Sequence, residues 1–107
     1  MSSYNDIEAS DLHALIAEKK IQLVDVRNDD EVARGIIAGA RHLQLSLLPV
    51  EYESLSSDLP TVFYCHSGVR SAQAAAFVSS KGYTNVYNLV GGVLAWARAG
   101  YPFATKS

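Results

Sequence analysis

The segment Thr61-Val62-Phe63-Tyr64, set off by Pro60, constrains this chain's fold most tightly. Its residues are β-prone and show no polar alternation. A strand exposed on one face would alternate; an unbroken run suits a strand covered on both faces, as in a parallel sheet. The chain's only cysteine follows at once, in Cys65-His66-Ser67-Gly68-Val69-Arg70-Ser71. From Ser71 to Lys81 an alanine-rich pattern predicts a helix, with Ala72, Ala74, Ala75 and Ala76 small enough to let it lie close to a sheet and Gly82 as its stop.

The remaining segments repeat this alternation. A helix is predicted from about Asp11 to Lys20, capped by Ser10, with Leu12, Leu15 and Ile16 on one face and Lys19 and Lys20 near its end. Ile21 to Val26 reads as a strand, Asp29 to Arg34 as a short helix ended by Gly35, and Arg41 to Leu45 as a short strand. Pro49 to Leu55 is a further helical segment, Asn85 to Asn88 a strand, and Gly92 to Arg98 a last helix before Gly100 and Pro102. Strands alternating with helices define an α/β fold with a largely parallel sheet. Ligands of open sheets of this kind bind at the carboxyl ends of strands, which is where Cys65 falls.

At 107 residues, 49% of them apolar, the chain has the size of one domain with a layered core. Nine basic and eleven acidic residues give a net charge of −2, so nothing in the balance points to nucleic acid or an anionic membrane as partner. No apolar run approaches the roughly 20 residues of a membrane span. The start, Met1-Ser2-Ser3-Tyr4-Asn5-Asp6, lacks the basic and apolar regions of a signal peptide. One cysteine excludes an intramolecular disulfide, so a reducing cytoplasm is the default compartment; a monomer is the default state for a chain of this size.

The loop after the buried strand carries the chemistry. A thiolate is the reactive form of cysteine, and its pKa falls beside cations and at helix N-termini. Here the loop N–H groups and the helix start surround Cys65, and Arg70 adds a permanent charge with a planar donor fork suited to an oxyanion. Gly68 permits a tight or left-handed turn, and His66 and Ser67 can donate hydrogen bonds. The competing reading is an inert, buried cysteine acting as a small hydrophobe. The neighbouring glycine, arginine and helix start favour reactivity. No cofactor is expected: His13, His42, His66 and Cys65 lack zinc-site spacing, and Gly91-Gly92 alone is no nucleotide fingerprint.

Three blocks in order, spanning Ile21 to Pro102, resemble the single-domain rhodanese family of sulfurtransferases. The first runs from Asp25-Val26-Arg27 through Glu31, Gly35, Ile37, Gly39 and Ala40; the second is Tyr64 to Ser71; the third comprises Gly82-Tyr83, Val86, Leu89, Gly91-Gly92, Ala95-Trp96, Gly100 and Pro102. The family often places His and Pro where this chain has Ile36 and Ala38. The resemblance implies a three-layer rhodanese-like fold over residues 1–107, with a central, mostly parallel five-stranded sheet and helices on both faces. It also implies a persulfide on Cys65, with His66, Ser67, Gly68, Val69, Arg70 and Ser71 binding substrate and no metal. Asp25, Arg27 and Glu31 are expected to form a structural polar network, and Tyr83 and Trp96 to support the core. Gly91 and Gly92 are expected to permit close packing beneath the loop. Arg41 and His42 are expected at the surface rather than at the site mouth.

The expected reaction is sulfur transfer from a small anionic donor such as thiosulfate, through Cys65, to cyanide, a cellular thiol or a protein acceptor. Arg70 is expected to position the donor's oxyanion and the loop N–H groups to hold the anionic outer sulfur. The alternatives are a cysteine-dependent phosphatase or arsenate reductase, and a non-catalytic rhodanese-like binding or sulfur-relay module. A cysteine phosphatase has five residues between Cys and Arg, whereas four separate Cys65 from Arg70 and Ser71 stands in that arginine's place.

Overall fold

A computed structural model describes residues 4–18 and 20–106. Five strands form one sheet: β1 (Asn5–Ile7), β2 (Gln22–Asp25), β3 (Arg41–His42), β4 (Thr61–Tyr64) and β5 (Val86–Leu89). They are all parallel, in the order β1-β5-β4-β2-β3. Thus β4 lies at the centre, with Asp25 opposite Tyr64 on one side and Asn88 opposite Phe63 on the other. All four β4 residues are buried, as the unbroken apolar run requires.

Helices α1 (Ala9–Glu18), α2 (Asp29–Val32), α3 (Leu48–Glu51), α4 (Val69–Ser80) and α5 (Gly92–Arg98) complete the fold, with 3-10 turns at Leu45–Leu47 and Tyr52–Ser54. Alternation along β4 feeds two cores. Val62 and Tyr64 join Leu12 of α1 and Val93 and Trp96 of α5 in one. Phe63 and Cys65 join Leu48 of α3 and Ala74, Ala75 and Val78 of α4 in the other. Sheet and helices therefore make three layers. The alanines of α4 let its backbone approach the sheet, and Ala74 and Ala75 are fully buried.

Several element boundaries differ from the sequence reading. The first helix starts at Ala9, so Ser10 lies inside it rather than capping it; Leu12 N already donates to Glu8 O. Lys19 lies outside the described residues. The preceding strand β1, three residues with two of them exposed, went unread because an edge strand this short carries no periodic signal. The strand expected over 41–45 is only two residues long, because Leu45 turns away into a 3-10 turn. The helical segment expected over 49–55 starts one residue early and tightens to 3-10 geometry after Glu51. Helix α4 starts at Val69, not Ser71, with Gly68 as its N-cap. The short helix before Gly35 starts at Asp29 as expected but ends at Val32, two residues short of Arg34, and α5 has the expected bounds.

Buried polar groups pair locally. Asp25 accepts from Arg27 Nε at 3.0 Å and Nη2 at 2.7 Å, and Arg27 Nη2 also donates to Gly35 O at 2.7 Å. This pair fixes the turn leaving β2. Tyr64 closes the same corner: its hydroxyl accepts from Ile37 N at 3.0 Å, and burial together with the nearby Asp25 charge pushes its pKa up. Trp96 Nε1 donates to Pro102 O, and Tyr83 Oη donates to Tyr52 O and Leu55 O. Both aromatics are structural, as expected.

Candidate active site

Strand β4 delivers Cys65 to the carboxyl end of the central strand, where the chain turns sharply into α4. The turn depends on Gly68, whose φ of +108° is a left-handed conformation that side-chain-bearing residues rarely adopt. It aims the Gly68 N–H back at the sulfur. Cys65 Sγ accepts from Gly68 N at 3.1 Å and Ser71 N at 3.4 Å, and the Ser71 hydroxyl, whose one proton is shared with Asn88, lies within reach at 3.4 Å. Burial opposes the thiolate, but hydrogen bonds from Ser71 Oγ, Ser71 N, Gly68 N and Ser67 N outweigh it, and the Cys65 pKa is lowered. The residue is only 1% exposed, so the loop wraps the sulfur rather than displaying it.

The loop is itself held from below. Val93 N, at the start of α5, donates to Cys65 O at 2.9 Å, and Leu94 N donates to His66 O at 3.3 Å. This contact exists because Gly92 has no side chain; a Cβ there would overlap Cys65 O and stand 2.6 Å from the His66 carbonyl carbon. Asn88 of β5 ties the loop sideways. Its Oδ1 accepts from Ser71 Oγ at 2.5 Å, and its Nδ2 donates to Gly68 O at 3.3 Å.

Arg70 makes no hydrogen bond to the sulfur and is paired instead with α2. Its Nη1 and Nη2 donate to Glu31 Oε1 and Oε2 at 2.6 and 2.7 Å, a bidentate pair. Glu31 Oε1 also accepts from Asn28 N at 3.0 Å, closing the capping box of α2. The Arg70 bonds, with help from Asn28, hold the Glu31 carboxyl down at about 2. The polar network expected of Asp25, Arg27 and Glu31 is therefore split: Asp25 and Arg27 pair with each other, while Glu31 joins the active-site loop.

A cleft of about 360 Å³ beside the loop is lined by Arg27, Glu31, Arg34, His66, Arg70 and Val93. His66 is exposed at its rim and Val69 is 66% exposed, while Ser67 is exposed in the turn. Arg41 and His42 lie elsewhere. Arg41 lies at the surface and donates to Ser54 Oγ, whereas the His42 side chain, expected at the surface, is only 8% exposed and donates from Nε2 to Arg27 O. Among the described residues, no three His, Cys, Asp or Glu side chains gather as a metal site would need.

Three site features escaped sequence reasoning: Glu31 as the partner of Arg70, Asn88, and Arg34 in the cleft lining; the close approach of Gly92 beneath the loop was expected and is found. Asn88 left a signal, since an amide in an otherwise apolar strand beside the central one must find buried partners. The Glu31–Arg70 pair spans 39 residues of sequence and left none.

This architecture places the chain among the rhodanese-like proteins. The rhodanese-like domain family model matches residues 8–99, and the chain belongs to that family. It is 40% identical over 99 residues to a sulfurtransferase of Allochromatium vinosum, covering 92% of each chain. It is 33% identical to the thiosulfate sulfurtransferase GlpE of Actinobacillus succinogenes, over 85% of this chain and 82% of that one. A rhodanese-related protein from Thermoplasma volcanium superposes with a TM-score of 0.89 at 33% identity, over 96% of this chain and all of that one. The family is thus that of the rhodanese-type sulfurtransferases.

Proposed function

We propose that the protein is a working sulfurtransferase in which Cys65 carries sulfane sulfur as a persulfide. The observation that carries this reading is the set of donors from Gly68 and Ser71 converging on Cys65 Sγ. They stabilise an anionic sulfur without a general base, which is what a thiolate nucleophile needs. The Cys65 thiolate attacks the outer sulfur of thiosulfate. The sulfur–sulfur bond of the donor breaks, sulfite leaves with the bonding electron pair, and Cys65 holds a persulfide anion. Cyanide or a thiolate acceptor then attacks the outer sulfur, and Cys65 departs as the thiolate with which the cycle began. Charge is conserved in both displacements, and ping-pong kinetics are expected.

The loop is one residue shorter than that of a cysteine phosphatase, which leaves less room for a phosphate's three oxygens than for a single sulfur atom. Arg70, the one guanidinium of the loop, spends one N–H of each terminal nitrogen on Glu31, which occupies its end-on fork. A protein thiol is an acceptor of the same chemistry as a small thiol, so a relay role uses the same site.

Intact-mass spectrometry of the reduced protein, before and after thiosulfate, tests the reading. The expected result is a gain of one sulfur atom, reversed by cyanide and absent in Cys65→Ser. A folded native protein that gains no sulfur from thiosulfate or from small persulfides overturns it.

A further inference from the structure

The cleft lining contains three guanidinium groups, and two are balanced. Arg27 is held by Asp25, and Arg70 is held at both ends by Glu31. Arg34 is exposed, and among the described residues no ion pair holds it. It lies one turn beyond Glu31, with its N–H donating to Glu31 O at 3.1 Å, at the end of the short α2 segment. Its position in the lining, beside His66 and Arg70, leaves its charge as the permanent one in the cleft without a carboxylate partner.

We propose that Arg34, rather than Arg70, is the specificity-determining residue that draws anionic reagents and sulfur donors to Cys65. The inference rests on the sulfur-transfer reading for its biological meaning, but its physical content is a local field. A partnered arginine presents little net charge at a distance, because its carboxylate cancels it. An unpartnered one at the mouth of a partly enclosed cleft raises the local concentration of anions. Arg70 then serves a different purpose. Tied to Glu31, it clamps the loop to α2 and keeps the turn around the sulfur closed. Two arginines of one cleft thus divide binding from support, and the division follows from which of them has a carboxylate.

Alkylation tests this without requiring turnover. The chain has one cysteine, so mass spectrometry reads its modification without ambiguity. Rates are measured with iodoacetate, an anion, and iodoacetamide, its neutral counterpart, and expressed as a ratio; the ratio cancels differences in thiolate fraction and access. Arg34→Ala is expected to lower the ratio about three- to fivefold at low salt. Arg34→Lys is expected to keep it, Arg34→Glu to lower it further, and the differences to shrink as ionic strength rises. In thiosulfate turnover, Arg34→Ala is expected to raise KM with little change in kcat. A ratio in Arg34→Ala equal to that of the native protein overturns the proposal. Failure of the native protein to take up sulfur would sink the sulfur-transfer reading instead, and the alkylation ratio would still decide the role of Arg34.

Discussion

Gly92 lies against the carbonyl of Cys65 so closely that a Cβ would overlap its oxygen. The same glycine has a φ of +53°, so a side chain there faces both a clash and a strained backbone. The clash is with backbone, which cannot rotate aside. Gly92→Ala is expected to cost at least about 2 kcal/mol of stability, read as a lower urea midpoint at unchanged slope. It should also break the Val93 N–Cys65 O bond and slow alkylation of Cys65 in the folded protein. A variant as stable and as reactive as the native chain would show that α5 can slide away without consequence.

Glu31 gives stability a defined dependence on acid. Its native pKa is depressed to about 2 by the Arg70 bonds, while its ordinary value is 4.5. Between these values the unfolded chain binds more protons than the folded one, so stability rises with pH there. The contribution is fully present above about 4.5 and is lost as pH falls through about 2. Denaturant titrations across this window are expected to show a shallower pH slope for Glu31→Gln than for the native protein. Equal slopes would mean that the pair is no stronger folded than unfolded.

Much of the fold was legible because it rests on one strong signal. The apolar run Thr61–Tyr64 has the bounds of the strand itself, and burial on both faces placed it inside a parallel sheet. Most segments without such a signal were misplaced by a residue or more, or not read at all; the last helix, bounded by Gly91-Gly92 and Gly100, is the exception. Residues Asn5–Ile7 form a strand only because Leu89 and its neighbours in β5 offer an open edge, a tertiary circumstance that no window of three residues records. The site divides in the same way. Cys65, Gly68 and Ser71 lie within one seven-residue segment, and their convergence followed from the turn. The roles of Arg34 and Arg70 depend on which carboxylate reaches which guanidinium across 39 residues, and nothing in the spacing decides that.

Ser71 has one hydroxyl proton and two acceptors in reach: Asn88 Oδ1 at 2.5 Å and Cys65 Sγ at 3.4 Å. The Asn88 amide cannot simply turn over, because its Nδ2 is bonded to Gly68 O. A proton given to Asn88 is not available to the sulfur. Ser71→Ala is therefore expected to shift the Cys65 titration less in the native background than in an Asn88→Ala background, where the hydroxyl is free for the thiolate. A double-mutant cycle on the thiolate absorbance measures this coupling; strict additivity would sink the idea of a shared proton.

The lowered Cys65 pKa has its own pH signature. The thiolate fraction, and with it the iodoacetamide rate, is expected to rise with pH through a midpoint below that of an unfolded cysteine. Because the folded pKa is depressed, ionisation favours the folded state: the contribution is present above the unfolded pKa and lost as pH falls through the folded one. Denaturing the protein should move the alkylation midpoint up. A native midpoint at or above the denatured one would show that burial wins over the loop's hydrogen bonds.

The order β1-β5-β4-β2-β3 has a consequence for when this protein becomes reactive. With every strand pair parallel, no hairpin forms early, and β4 acquires its neighbours only after crossovers on both sides close. The Cys65 loop takes its supports from segments far apart in the chain, around Glu31, Asn88 and Gly92. A chain in which α2, β5 and α5 have not docked around β4 therefore carries an ordinary thiol. The chemistry is licensed by folding itself, so Cys65 reactivity reports the docking of these elements.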